Sequence, residues 1–190
     1  MSPPDDAVLP SYARAVLRAA LGGPPAEKPR SPSLQRSAAV FVTLRWPDGD
    51  LQGCIGTIEP RGPLVDAVAD SARSAAFRDS RGRRFNLAET ASLFVEVSVL
   101  SPLENIPFTD EASARAALRV GVDGVVLRLG DRQATFLPQM WPRLGDPANF
   151  LNELKQKAGL AADFWSPRIQ LLRYAVARFT DGHEPPPEPD

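Results

Sequence analysis

The sequence predicts an α+β fold built on a mixed, mainly antiparallel sheet flanked by helices. Three observations predict it. Helical and strand-like segments follow one another in the order α-ββ-α-β-α-ββ-α-β. At least two strand pairs are joined by hairpin turn signals, and strict βαβ repetition is absent. A chain of 190 residues suits one domain, or one domain with a small lobe, around a real core.

The first helix is predicted over 11–21 (SYARAVLRAAL). There Tyr12, Ala15, Val16, Ala19 and Ala20 share a face, Ser11 caps and Gly22 stops. The Pro- and Gly-rich segment 22–32 is a loop, because neither residue sustains a helix or strand interior. Residues 38–46 (AAVFVTLRW) read as a strand, Pro47-Asp48-Gly49-Asp50 as a turn, and 51–58 as the returning strand. Two glycines inside that strand signal a bulge or the close approach of other backbone or a ligand. Residues 63–77 make the clearest helix, with Leu64, Val65, Val68, Ala72, Ala75 and Ala76 as its apolar stripe and Pro63 in the first turn.

After a polar loop over 78–85, residues 91–100 alternate as a strand. A short helix over 109–118 follows, with Thr109 as its predicted cap. Residues 124–129 and 132–137 form a hairpin around Gly130-Asp131. The helix 146–158 has Asp146 as cap, Pro147 at its first position and Gly159 as its stop. Residues 168–179 fit either period and are read as one strand. The predicted organisation is an N-terminal flexible arm (1–10), a domain over 11–180 that includes the 22–32 loop, and a disordered Pro-rich tail (181–190). Eleven of the 20 prolines fall in 1–32 and 184–190.

Composition excludes several classes. The formal net charge of −1 provides no whole-molecule field for nucleic acid or an anionic membrane, although a local patch stays open. One Cys cannot make an internal disulfide, and one His removes His-rich metal sites. No apolar run is long enough for a membrane helix, and the acidic, Pro-rich N-terminus is not a signal peptide, so a soluble cytoplasmic protein without metal or cofactor is expected. There is no Gly-rich phosphate loop and no Gly-x-Ser-x-Gly elbow.

Cys54 stands between glycines in Gly53-Cys54-Ile55-Gly56. It reads either as a buried structural thiol or as a nucleophile or redox group; the second needs a nearby cation, helix N-terminus or base. The only His, His183, lies in the tail, away from the thiol in sequence. The run 78–84 holds Arg78, Arg81, Arg83 and Arg84, a solvated loop or a phosphate or RNA contact. Glu96 shares a strand face with Phe94 and Ser98, and is ordinary if that face is solvated, functional if it is covered. Phe136-Leu137-Pro138-Gln139-Met140-Trp141 leaves a strand in a Pro-bounded turn, where Gln139 offers an amide and Trp141 either a stacking face or core packing.

Leu51-Gln52-Gly53-Cys54-Ile55-Gly56-Thr57 resembles the signature of the AMMECR domain family, whose prokaryotic members are called AmmeMemoRadiSam system protein A. The resemblance extends in order through the Ala- and Val-rich helix 64–77, Asp79, Arg81 and Phe85 of an Asp–Arg–Phe loop, and the Glu-Val-Ser-Val-Leu-Ser-Pro string 96–102. It continues through Gly121-Val122-Asp123-Gly124, Phe136-Leu137-Pro138-Gln139, Phe150 to Leu154 and Lys157 to Leu160. Gln52 departs from the Arg usual in the signature, and the 78–85 loop is longer and more basic than usual.

The resemblance implies an α+β fold with a larger and a smaller subdomain and the signature at a cleft between them. It implies a pathway shared with Memo-type and radical SAM proteins rather than a named reaction. The implied site comprises Cys54, as a candidate catalytic thiol, with Gln52, Gly53, Ile55, Gly56, Thr57, Asp79, Arg81, Glu96 and Gln139 as substrate or partner contacts. Three expectations follow: a component of a modification or redox pathway, a non-catalytic interaction module, or an RNA-associated protein using the 78–84 loop. A small-molecule ligand is equally open.

Overall fold

The computed structural model describes residues 5–181. His183 and the rest of the Pro-rich tail beyond Asp181 lie outside the described residues, as do the first four residues of the N-terminal arm. In chain order the helices are α1 (Leu9–Ala20), α2 (Leu64–Phe77), α3 (Glu111–Ala117), α4 (Trp141–Leu144) and α5 (Pro147–Lys157). The strands are β1 (Val40–Arg45), β2 (Leu51–Gly56), β3 (Phe94–Leu100) and β4 (Glu104–Asn105), then β5 (Gly124–Leu129), β6 (Arg132–Phe136), β7 (Gln170–Tyr174) and β8 (Val176–Thr180). The chain forms two compact units: the first takes in the chain up to Leu100 and resumes at Ala177, and the second is Ser101–Val176.

The first unit carries a sheet of order β2-β1-β3-β8. β1 pairs antiparallel with both β2 and β3. The predicted turn closes the β1–β2 hairpin, with Gly49 at a φ of 93° and the Trp46 N–H donating to the Asp50 carbonyl at 2.9 Å. Val40, Val42, Leu44, Val95, Val97 and Val99 pack with the apolar faces of α1 and α2 in one core, which matches the alternation of the two strands. The small residues Ala72, Ala75 and Ala76 let α2 lie close to the sheet. The opposite sheet face carries Phe41, Thr43, Cys54, Glu96 and Ser98.

The second unit carries a sheet of order β4-β7-β5-β6, with α5 and Trp141 in its core. Trp141 stacks on Phe150 with centroids 3.9 Å apart, so of its two readings core packing is the one observed. Gly124 pairs with Tyr174 in register, and the tyrosine ring lies where a side chain at 124 would stand. Asp123 is fully buried; it accepts from Arg119 Nε at 2.8 Å and lies 3.4 Å from the Arg173 guanidinium.

Three local expectations are corrected. The single strand predicted over 168–179 is two strands in two different sheets, divided at Ala175. Each half answers to a different core, which is why no one period fitted. The cap of α3 is Asp110, not Thr109: the Asp110 carboxylate accepts from the Ser113 N–H at 2.7 Å while Ser113 Oγ accepts from the Asp110 N–H. Ser11 lies inside α1, which begins at Leu9 with Pro10 in its first turn, where a missing N–H costs nothing. Among the described residues no helix is long and apolar enough to cross a membrane.

Candidate functional site

The pairing of three strands sets one row of polar side chains. Thr43 stands opposite Cys54 across β1–β2 and opposite Glu96 across β1–β3. Residues directly opposite on antiparallel strands share a face, so thiol, hydroxyl and carboxylate line up across the sheet. Thr43 Oγ1 donates to Cys54 Sγ at 3.3 Å, and Ser98 Oγ donates to Glu96 Oε1 at 3.2 Å. Thr43 and Ser98 are buried, whereas Cys54 and Glu96 are half-buried.

A loop holds the row from the β2 side. The Cys54 N–H donates to Asp79 Oδ2 at 3.0 Å. Arg81 grips the same carboxylate through Nε at 2.9 Å and Nη2 at 2.6 Å. The Arg81 guanidinium holds the Asp79 carboxyl well below the ordinary carboxylate range, helped by the Cys54 and Arg81 N–H groups and opposed by burial. Asp79 is therefore an anion at every physiological pH. Burial pushes the Cys54 thiol above its ordinary pKa, and the Thr43 hydrogen bond and the Arg81 charge pull the other way without overcoming it. Cys54 at rest is a neutral thiol rather than an activated thiolate.

Gln52 is the extra residue of a β-bulge, because Leu44 pairs with Gly53 and Arg45 with Leu51. Its buried amide is filled by four partners. Oε1 accepts from Trp46 Nε1 at 3.0 Å and the Arg83 N–H at 3.2 Å. Nε2 donates to the carbonyls of Ala76 and Arg83, each at 3.0 Å. Gln52 thus ties the hairpin, the end of α2 and the arginine loop together. Gly82 lies so close to Gln52 that a side chain there would overlap its amide.

The remaining residues predicted for the site fall in several places. Gly53 and Ile55 point to the α2 side; Ile55 packs on the core, and α2 backbone lies against Gly53. Gly56 is on the Cys54 face, with β1 backbone and the Phe41 ring where a side chain would go. The Thr57 hydroxyl donates to the Glu59 carbonyl at 2.8 Å. Gln139 belongs to the second unit, in a 3-10 turn over Pro138–Met140, half-buried and with Oε1 lacking a hydrogen-bond partner among the described residues. Thr43 was missed from sequence, although it is the one uncharged polar residue in β1 and shares the parity of Phe41.

One measurement checks the state of the thiol. Because Cys54 is the only cysteine, alkylation by iodoacetamide reports on it alone. At pH 7 the rate is expected below that of a free cysteine, with its midpoint on the pH axis displaced upward. Arg81→Ala moves the midpoint further up, since it removes a charge that favours the thiolate. A midpoint below that of free cysteine would contradict the burial of the thiol.

The fold and the row define a two-unit α+β protein whose glycine-flanked thiol is built into a sheet face rather than set on a free loop. Residues 10–179 match the AMMECR1 family model, and the chain belongs to that family. It is similar to the protein MJ0810 of Methanocaldococcus jannaschii, with 34% identity over 174 residues, 90% of this chain and 87% of that one. It is 35% identical to the protein MK0488 of Methanopyrus kandleri over 159 residues, 82% of this chain and 77% of the relative. The crystal structure of the uncharacterized protein PH0010 from Pyrococcus horikoshii shares the fold with a TM-score of 0.84 and 32% identity, covering 95% of this chain and 93% of that one.

Proposed function

We propose that this chain is a cytoplasmic binding component of a modification or redox pathway, acting with Memo-type and radical SAM proteins, and that the Cys54–Thr43–Glu96 row is its recognition surface. The observation that carries this reading is the row itself: three different polar groups held side by side, two of them still partly accessible. Such a row suits hydrogen bonding to a polar ligand or peptide. With its pKa raised, the thiol contributes a neutral S–H, and Glu96 contributes the charge. The choice of pathway rests on the resemblance of the signature Leu51 to Thr57.

The test is association of the purified protein with the Memo-type and radical SAM proteins of the same genome, measured by titration calorimetry. Glu96→Gln is expected to weaken binding about tenfold, the scale of one charge-assisted hydrogen bond. Cys54→Ser keeps it within about twofold, because a hydroxyl preserves the donor. Absence of association for the wild type overturns the partnership. Strong binding in which only Cys54→Ser fails points instead to thiol chemistry.

A further inference from the structure

We infer that the end of α2 and the loop after it form a binding surface for single-stranded nucleic acid, on the same loop that holds the Cys54 row but through residues outside that row. Four groups in contact build it, with Phe77 and Arg83 exposed, Phe85 half-buried between them and Trp46 buried beneath. The Phe77 ring, 47% exposed at the last position of α2, stacks on Phe85 with centroids 5.7 Å apart and planes 10° from parallel. Phe85 meets Trp46 edge-on at 5.7 Å, and the Arg83 guanidinium covers Trp46 at 4.0 Å from the ring centroid.

Around this ladder stand the cations. Arg78, Arg81, Arg83 and Arg84 are all exposed, against Asp79 as the one acid of the stretch 78–85. Asp79 is already paired with Arg81, and Arg78 and Arg84 carry no ion pair among the described residues. The loop is also held in place: Arg83 backbone is bonded on both sides to buried Gln52.

The chemistry that matches is a chain of phosphates with unpaired bases. Phosphates meet the arginine forks, and a free base face meets the open Phe77 ring. A duplex offers no free base faces, and an acidic peptide offers carboxylates without stacking surfaces. Because the molecule's net charge is −1, the attraction is local and salt-sensitive rather than a whole-protein field.

Fluorescence anisotropy of the full chain with labelled twelve-nucleotide oligouridylate and oligothymidylate tests the inference. Micromolar affinity is expected, with log K falling against log salt at a slope of about −2, the value for three phosphates on a single strand. Arg78→Ala combined with Arg84→Ala should weaken binding tenfold or more and flatten that slope. Phe77→Leu should weaken it several-fold at an unchanged slope, as loss of one stacked base would. Lys28→Ala combined with Arg61→Ala removes equal charge at the other end of α2, where Lys28 pairs with Asp66, and should change little. Circular dichroism confirms that each variant is folded, and the two arginine changes sit on exposed side chains. No binding overturns the inference. So does binding indifferent to Phe77, and so does equal displacement by polyglutamate, which would identify an acidic-peptide site.

Discussion

Gly53→Ala is expected to unfold or nearly unfold the first unit. A Cβ at Gly53 would stand 2.8 Å from the Ala75 carbonyl carbon and 2.9 Å from Asp79 Cβ, with the Ala75 carbonyl oxygen closer still. Backbone cannot rotate aside as a flexible side chain would, so α2 must move. Moving it breaks the Gln52–Ala76 and Cys54–Asp79 hydrogen bonds as well as the core contact. A loss of about 4 kcal/mol or more is expected, at the upper end of single substitutions. That corresponds to roughly 10 °C or more in thermal midpoint for a chain of this size. Gly22→Ala is the control: its φ of 88° is strained for alanine but nothing lies within 4 Å, so about 1 kcal/mol is lost. A Gly53→Ala protein that melts with the wild type would show that α2 does not lie against β2 as described.

Asp123→Ala is expected to cost the second unit about 3–5 kcal/mol, the usual result of stripping one partner from a buried ion pair. The Asp123 side chain is completely buried and the Arg173 side chain only 15% exposed, so Arg173 would be left charged in a poorly solvated place. The Arg119 N–H, which donates to Asp123 Oδ2 at 3.0 Å, would also lose its acceptor. Asp123→Asn should cost less, because the amide oxygen still accepts. Hydrogen exchange of the β5 and β7 amides reads the effect in that unit; protection within about 1 kcal/mol of wild type for Asp123→Ala would refute the ion-pair account.

Local chemistry made much of the fold legible. The turn Pro47-Asp48-Gly49-Asp50 announced the first hairpin, and Asp146, Pro147 and Gly159 bounded α5 within a residue or two. Alternation correctly put Glu96 on the face away from the valine core. What stayed hidden depends on residues far apart in the chain. Gln52 finds its partners 24 and 31 positions away, so its work as a latch has no local signal. The bulge at Gln52 also shifts the hairpin register, so counting from the turn does not set Thr43 opposite Cys54. The signature string thus singled out Cys54 and the strand pattern singled out Glu96, but nothing local set Thr43 between them.

The return of the chain through β8 bears on how the protein is made. β3 and β8 are neighbours in one sheet, yet residues 101–175 are synthesised between them. The chain enters and leaves that insert at one place, where the Ser101 N–H donates to the Ala175 carbonyl and the Ala175 N–H donates to Ser101 Oγ, both at 2.9 Å. Arg14 in the first helix is likewise bound to Asp181, the last described residue. During translation the N-terminal helix and the outer edge of β3 therefore wait for the final strand. A nascent chain stalled within the insert presents an unpaired sheet edge, the kind of surface that recruits other strands or a chaperone.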